Sequence, residues 1–158
     1  MTIVLYPGSF DPVTYGHLDI IQRACRLFDH VHIGVVHNPS KSATFSLEER
    51  LHMIQSVISE QVDNVTVHAY TGLLVEFAHT IGVSAIVRGL RAISDFEFEF
   101  QLSLTNRQLS PQLETILLMT DSKYSYISST AIKQIAMYGG DVSSFVPPLV
   151  EQQLKERL

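Results

Sequence analysis

Apolar residues along the chain occur in short runs that alternate with stretches of helical spacing. Five of these runs are almost continuously apolar, which is typical of strands covered on both faces. They predict strands over residues 2–6, 31–36, 65–69, 85–87 and 115–119. The pattern therefore predicts a sheet that packs against helices on both of its faces.

Helical spacing predicts the elements between these strands. Leu18, Ile21 and Phe28 recur on one face of the first helix. The second helix starts at Ser46, and Glu49 stands three residues on, as in a capping box. Further helices are predicted over residues 73–81, from 128–130 to 139–140, and from 149 into the C-terminus.

The repeated order of strand, helix and strand predicts an α/β fold with an open parallel five-stranded sheet and right-handed crossovers. The sequence contains no linker, low-complexity stretch or internal repeat, so residues 1–158 are expected to form a single domain. Sheets of this kind bind ligands at the carboxyl ends of their strands. The loops that follow the strands are therefore expected to carry the functional site.

One segment fits two structures. Residues 95–104 read DFEFEFQLSL, which alternates apolar and polar residues as an exposed strand does. Phe96, Phe100 and Leu104 also share one face of a helix. Periodicity leaves both structures open.

Composition narrows the classes of function. The chain is 46% hydrophobic and 17% charged, as soluble globular proteins are, and its formal net charge of −5 disfavours nucleic-acid binding. A local basic pocket could still bind an anionic substrate. The single cysteine, Cys25, allows no intrachain disulfide and is expected to be a core residue. No signal sequence and no apolar run of about 20 residues is present, which predicts a cytoplasmic protein without a membrane span.

The loop after the first predicted strand, residues 7–17, reads PGSFDPVTYGH. Gly8 and Gly16 permit close backbone approach or a positive φ, and Ser9 offers a hydroxyl directly after the strand. His17 stands at the start of the first helix, where it could donate to a phosphate oxygen. The alternative is a simple tight turn with His17 exposed at the surface.

Cationic side chains follow two other predicted strands. Lys41 lies in the loop after the second strand, where it could meet a phosphate or simply be solvated. Arg88 and Arg91 flank a glycine at the end of the fourth strand, and the guanidinium fork suits phosphate. The alternative for these arginines is a salt bridge to one of the acidic residues that follow, Asp95, Glu97 and Glu99.

A hydroxyl-rich segment, SYISST over residues 125–130, follows the fifth strand. Its hydroxyls could cap a helix or face a ligand, and Tyr124 or Tyr126 could pack beside a purine. The sequence contains no Walker loop, GxGxxG, HExxH, CxxC or GxSxG motif. Phosphate binding would therefore use a different scaffold.

Together these loops resemble the nucleotidylyltransferase superfamily. The TYGH at residues 14–17 resembles its HxGH signature, and the ISST at residues 127–130 resembles its second signature. The opening YPGSFDPVTYGHLDII and the block VRGLRAISDFEFEFQLSLTNRQL over residues 87–109 are similar to phosphopantetheine adenylyltransferases in particular. The resemblance extends from residue 6 to the C-terminus.

The resemblance implies a Rossmann-like fold and a cytoplasmic homohexamer that uses Mg²⁺ with ATP. The substrates would be ATP and 4′-phosphopantetheine, and the products dephospho-CoA and pyrophosphate, in the penultimate step of coenzyme A biosynthesis. CoA would be a candidate feedback inhibitor. The resemblance also favours the helix over residues 95–109.

The resemblance further implies roles for individual residues. The catalytic residues would be His17, Lys41 and Arg91. The ATP-binding residues would be Ser9, Phe10, His17, Gly89, Leu90, Arg91, Glu99, Tyr124, Ser125, Tyr126, Ile127, Ser128, Ser129 and Thr130. The phosphopantetheine-binding residues would be Ser9, Lys41, Leu74 and Arg88, and no residue of the chain is expected to ligate a metal directly.

Two other functions remain open on the sequence alone. One is a related nucleotidylyltransferase with another phosphorylated acceptor, such as nicotinamide mononucleotide or glycerol 3-phosphate. Lys133 disfavours the nicotinamide acceptor, because related enzymes with an ISSTxxR motif carry arginine there. The other is a non-catalytic nucleotide-binding module. The role of Gln134, which replaces an acidic residue of some family members, is also open.

Overall fold

The computed structural model describes the backbone of residues 1–158 and all side chains except those of Ile93 and Ser94. Its strands are β1 Ile3–Gly8, β2 His30–Val36, β3 Val65–Tyr70, β4 Ala85–Leu90 and β5 Glu114–Met119. Its α-helices are α1 Tyr15–Leu27, α2 Leu47–Ile58, α3 Leu74–Ile81, α4 Ile93–Leu109, α5 Ser129–Met137 and α6 Pro148–Arg157. A 3₁₀ turn at Ser122–Tyr124 follows β5.

The five strands form one parallel sheet in the order β3-β2-β1-β4-β5. The chain builds outward from β1 in one direction through β2 and β3, and then in the other through β4 and β5. The loops after β1 and β4 therefore diverge to opposite faces and leave a crevice between them, the usual ligand site of such sheets. The predicted Rossmann-like α/β fold is confirmed.

Helices cover both faces of the sheet, as predicted. The larger core cluster joins the sheet to α1, α2, α5 and α6, with Ile21, Ile54 and Leu154 fully buried within it. The smaller cluster joins α3 to β1 and β4 through Leu5, Ala78 and their neighbours on the other face. Cys25 is a partly buried residue that packs against the larger cluster.

The capping box that the sequence suggests is present. Ser46 and Glu49 form a capping box at the start of α2, and α3 ends at Gly82 in the left-handed conformation with φ 74°. Within the described part of the chain, no helix combines the length and apolar character that crossing a membrane requires.

The ambiguous segment 95–104 lies within helix α4. The residues that α4 buries include Glu99 and Asn106, whereas Phe96, Phe98 and Phe100 are exposed. The apolar pattern could not identify this helix, because its phenylalanines do not mark its buried face. A helix with a buried carboxylate is expected to have a cationic partner nearby.

The core predicts a large difference between two substitutions of aliphatic residues. Ile54→Ala should lower the free energy of unfolding by about 2–5 kcal/mol, because Ile54 is 0% exposed and its loss leaves a cavity. Leu27→Ala, at a position that is 63% exposed, should change it by no more than about 0.5 kcal/mol. Urea denaturation at one protein concentration measures both values. Equal losses would contradict this assignment of the core.

Candidate active site

A cavity of about 660 Å³ opens at the carboxyl ends of the central strands. The loop after β1, the end of β4, the inner face of α4 and the segment that leads into α5 form its wall. His17 and Arg91 therefore face the same space. The sequence-predicted residues that line it are Ser9, Phe10, His17, Lys41, Leu74, Arg88, Gly89, Arg91, Glu99, Tyr124, Ile127, Ser128 and Ser129.

Four predicted ATP-binding residues do not line this cavity: Leu90, Ser125, Tyr126 and Thr130. The Ser125 hydroxyl donates to the Ser122 carbonyl at 2.9 Å, and Tyr126 is 70% exposed with its ring edge against Phe145. Thr130 is exposed on the first turn of α5. Nucleotide contacts of these four residues stay predictions.

His17 is oriented by the N-cap of α1. The Thr14 hydroxyl accepts from the His17 backbone N–H at 3.3 Å, and the Thr14 backbone N–H donates to His17 Nδ1 at 3.0 Å. An imidazole that accepts at Nδ1 carries its proton on Nε2 when it is neutral. Burial and the charges of Arg91 and Arg88 lower the His17 pKa to about 4. The ring is therefore a neutral Nε2–H donor at pH 7.

The loop that carries His17 has a strained residue at its start. Phe10, rather than Gly8 or Gly16, takes a positive φ, of 47°. A left-handed backbone at a non-glycine residue costs on the order of 1–3 kcal/mol and persists only where packing enforces it. The Phe10 ring is 1% exposed and packs edge-on against Tyr6 and His17 at centroid distances of 5.4 and 4.9 Å.

The Phe10 ring packs closely against the backbone of Gly8. A Cβ atom at this position would lie 3.0 Å from the ring. A contact that short would push the ring away from its site. The glycine therefore leaves room for the aromatic ring that packs against His17.

Arg88 is held by a carboxylate at the cavity wall. Its Nε and Nη2 donate to the two oxygens of Glu99 at 2.9 and 2.8 Å, and its Nη1 donates to the Pro7 carbonyl at 3.2 Å. Burial alone would lower the Arg88 pKa, but the hydrogen bonds and charge of Glu99 raise it overall. The salt-bridge alternative is therefore observed, and the fork still has N–H groups left for a phosphate.

Arg91 connects two parts of the site. Its Nε donates to Asp95 at 3.0 Å, and its Nη1 donates to the Ile127 carbonyl at 2.7 Å. The guanidinium thus lies between α4 and the segment that leads into α5. Three cationic side chains and two carboxylates line the cavity, which leaves one positive charge in excess. The cations are Lys41, Arg88 and Arg91, and the carboxylates are Asp95 and Glu99.

The hydroxyls at the start of α5 have structural partners. Ser128 caps the helix by accepting from the Ala131 N–H at 3.1 Å, and Ser129 donates to the Pro12 carbonyl at 2.8 Å. Capping, the alternative left open by the sequence, is therefore observed for Ser128, while both serines also line the cavity. The first N–H groups of α5 have no intrahelical acceptors and favour an anion.

The cavity also has an apolar wall that the sequence analysis did not identify. Tyr70, Phe98 and Leu102 line it together with Leu74. The spacing of residues 95, 98, 99 and 102 on one helical face would have revealed the α4 contribution once a helix was assumed. Two buried residues beside the site, Asp11 and Arg50, gave no local signal, because their partners are distant in sequence.

The expectation that no residue of the chain ligates a metal directly stays a prediction. Among the residues with described side chains, no group of three or more His, Cys, Asp or Glu is placed to hold a metal ion. The two carboxylates in the cavity are already paired with arginines.

The chain is similar to known proteins over most of its length. The cytidylyltransferase-like family matches residues 5–135. The chain is similar to the phosphopantetheine adenylyltransferase of Desulforudis audaxviator, with 51% identity over 99% of this chain and 96% of that protein. It is also similar to that of Caldanaerobacter subterraneus subsp. tengcongensis, with 50% identity over 99% of this chain and 98% of that protein.

Two solved structures share the fold at low sequence identity. A protein from Vibrio parahaemolyticus, described as a nicotinate-nucleotide adenylyltransferase, has a TM-score of 0.68 and 19% identity, over 98% of this chain and 99% of that one. A bifunctional NMN adenylyltransferase/ADP ribose pyrophosphatase from Francisella tularensis has a TM-score of 0.76 and 17% identity, over 98% of this chain and 49% of that one. Identity at the 50% level over nearly the whole chain shows that the protein belongs to the phosphopantetheine adenylyltransferase family.

Proposed function

We propose that this chain transfers AMP from ATP to 4′-phosphopantetheine, giving dephospho-CoA and pyrophosphate. The observation that carries the proposal is one cavity in which His17, Lys41, Arg88 and Arg91 line the wall beside the N-termini of α1 and α5. Such a cavity can hold two phosphorylated substrates close together. The two relatives at 51% and 50% identity carry the name of this activity.

The reaction requires positioning more than covalent help from the protein. An oxygen of the acceptor phosphate attacks the α-phosphorus of ATP, and the bond from that phosphorus to the bridging oxygen breaks, so that pyrophosphate leaves. The attacking oxygen is already anionic, so no base and no enzyme-bound intermediate are needed. Catalysis then consists of alignment and stabilisation of charge on the transferred group.

His17 supplies a hydrogen bond and no charge. Its Nδ1 accepts from Thr14, so Nε2–H is the end that can donate to an α-phosphate oxygen. Burial and the neighbouring arginines lower the His17 pKa to about 4, so the ring is neutral in the free protein at pH 7. Lys41, which is exposed and lines the cavity, supplies positive charge to the reacting phosphates.

The rest of the cavity divides between the two substrates. Arg91 and the N-terminus of α5 lie together and suit the β- and γ-phosphates. Tyr124 lines the same region and suits adenine. The apolar wall of Tyr70, Leu74 and Phe98 suits the pantetheine arm, with Arg88 beside its phosphate.

Mg²⁺ belongs to the proposal as a companion of ATP. When bound, it would neutralise charge on the polyphosphate and so favour the departure of pyrophosphate. Both cavity carboxylates pair with arginines, so ATP oxygens and water would supply its ligands. The protein residues position the phosphates around it.

Assembly, location and regulation are further parts of the proposal. Phe96, Phe100 and Leu104 are exposed on α4, and an apolar surface of this kind supports association of several copies, which we propose to be a homohexamer. CoA contains the pantetheine arm and the adenylate of the product, so it would occupy the same cavity as a feedback inhibitor. A cytoplasmic location is consistent with the unpaired Cys25.

The acceptor can be identified by measuring pyrophosphate release with ATP and a panel of phosphorylated compounds. Release is expected with 4′-phosphopantetheine, and little with nicotinamide mononucleotide or glycerol 3-phosphate, because neither has an arm for the apolar wall. Faster release with one of the other acceptors would favour a related nucleotidylyltransferase. ATP binding without release for any acceptor would favour a non-catalytic module.

His17→Ala should reduce turnover by about 10²–10³, because it removes one donor from the transferred phosphate. The KM for ATP should change much less, since the polyphosphate contacts remain. His52→Ala, at an exposed position on α2, is the matched control and should have wild-type turnover. Undiminished turnover of His17→Ala would remove His17 from the mechanism.

The charge state of His17 can be measured by NMR of its ring nitrogens in the free protein. The ring should stay neutral with its proton on Nε2 from pH 8 to about pH 5.5, because folding lowers its pKa to about 4. Between pH 6.5 and pH 4, His17 is therefore protonated in the unfolded chain and neutral in the folded one. Acidification over this range should lower the free energy of unfolding of the wild type relative to that of His17→Gln. A midpoint near pH 6.5 for this ring would contradict the assignment.

A further inference from the structure

Arg50 is a buried arginine that bonds to two loops of the site. It lies on α2 and is 3% exposed. Its Nη1 donates to the Ser9 carbonyl at 2.8 Å and to the Val36 carbonyl at 3.0 Å. These carbonyls stand after β1 and at the end of β2, so one nitrogen fixes the spacing between the two loops that begin there.

The loop after β2, residues 37–45, is here called the lysine loop because it carries Lys41. Asp11, in the loop after β1, holds its other end: its carboxylate accepts from the Thr44 and Phe45 N–H groups at 2.8 and 2.9 Å. The lysine loop is therefore tied to the loop after β1 at both ends, by Arg50 near residue 36 and by Asp11 near residue 45. The Lys41 side chain is exposed, and its backbone N–H donates to the Asn38 carbonyl at 3.1 Å within the loop, so the end ties place this turn as a unit.

Packing alone does not account for Arg50. Among the described side chains, no carboxylate lies within ion-pair distance of it. Its Nε is buried without a hydrogen-bond partner. Burying a cation in this way is costly, and an apolar side chain would fill the space at lower cost. What a guanidinium provides here, and an apolar side chain could not, is the pair of hydrogen bonds to the Ser9 and Val36 carbonyls.

We propose that Arg50 is a positioning residue that acts through Lys41. This inference rests on the proposed function. Arg50 does not line the cavity of about 660 Å³, but it borders an adjoining cavity to which Ser9, Val36 and Lys41 also contribute. Arg50 and Asp11 together fix the distance between the lysine loop and the loop after β1. At this distance the Lys41 ammonium meets the reacting phosphate.

Kinetics of Arg50→Met provide the first test. Methionine fills much of the space but cannot donate to either carbonyl. We expect kcat/KM for phosphopantetheine to fall by about 10- to 100-fold, as a displaced catalytic group would cause, with the KM for ATP unchanged. Arg50→Lys, which keeps a donor of shorter reach, should recover part of the loss. Arg26→Met, at an exposed position in the last turn of α1, is the matched control.

A double-mutant cycle with Lys41→Met separates positioning from general stability. If Arg50 acts through Lys41, Arg50→Met should cause little further loss once Lys41 is absent. If the wild type releases pyrophosphate and Arg50→Met lowers kcat/KM by the same factor in the presence and absence of Lys41, the proposed role of Arg50 would be overturned. A wild type without pyrophosphate release for any acceptor would instead overturn the proposed function.

Limited trypsin digestion tests the same idea without activity. Cleavage after Lys41 should be faster in Arg50→Met than in Arg26→Met, because a released loop enters the protease more easily. The masses of the fragments identify the site. If Arg50→Met does not fold, Arg50→Lys and Asp11→Asn take its place in both experiments, since each weakens one end of the lysine loop. Equal cleavage rates at Lys41 in the folded variants and the control would overturn the proposal.

Discussion

The site depends on holding cationic groups close together without mutual repulsion. Arg88 lies on β4 and Arg91 directly follows the end of that strand. Each has a carboxylate partner on α4, Glu99 and Asp95 respectively. The pairs keep both guanidinium groups at the cavity wall in the absence of substrate. This requirement explains why α4 has a polar inner face, since its buried carboxylate is the counter-charge of the site.

The same arginines determine how His17 can act. Burial of the ring and, after it, the positive charge of these arginines lower the His17 pKa, so a further positive charge at this point is disfavoured. The Thr14 N–H then selects the tautomer by donating to Nδ1. The site thus separates two tasks: fixed cations attract the phosphates, and a neutral donor of defined direction can contact the transferred group.

Elements with a repeating apolar pattern could be predicted from the sequence, and elements defined by charge could not. The central strands β1, β2 and β4 are largely buried, and the edge strands β3 and β5 are partly buried, so apolar runs mark all five. Ser46 and Glu49 are three residues apart, so their cap is visible locally. Helix α4 was ambiguous because its phenylalanines do not lie on its buried face. Asp11 bonds to residues 33 and 34 positions away, and Arg50 bonds to residues 14 and 41 positions away, so no local pattern indicates these contacts. The loops after β1, β2, β4 and β5 could nevertheless be predicted to line the cavity, because they follow strands whose carboxyl ends must meet, whereas Leu74 and Glu99 came only from the family resemblance.

The loop after β1 is the common partner of the other parts of the site. Its carbonyls cannot be satisfied within the sheet, and buried carbonyls need donors. Arg50 donates to Ser9 and Ser129 to Pro12 in this loop, and Arg88 donates to Pro7 near the end of β1, just before it. Each donor comes from a different element, so satisfying one loop also fixes β4, α2 and α5 around it. Folding of the loop and assembly of the cavity therefore use the same hydrogen bonds, and a change in any one donor should alter stability and catalysis together.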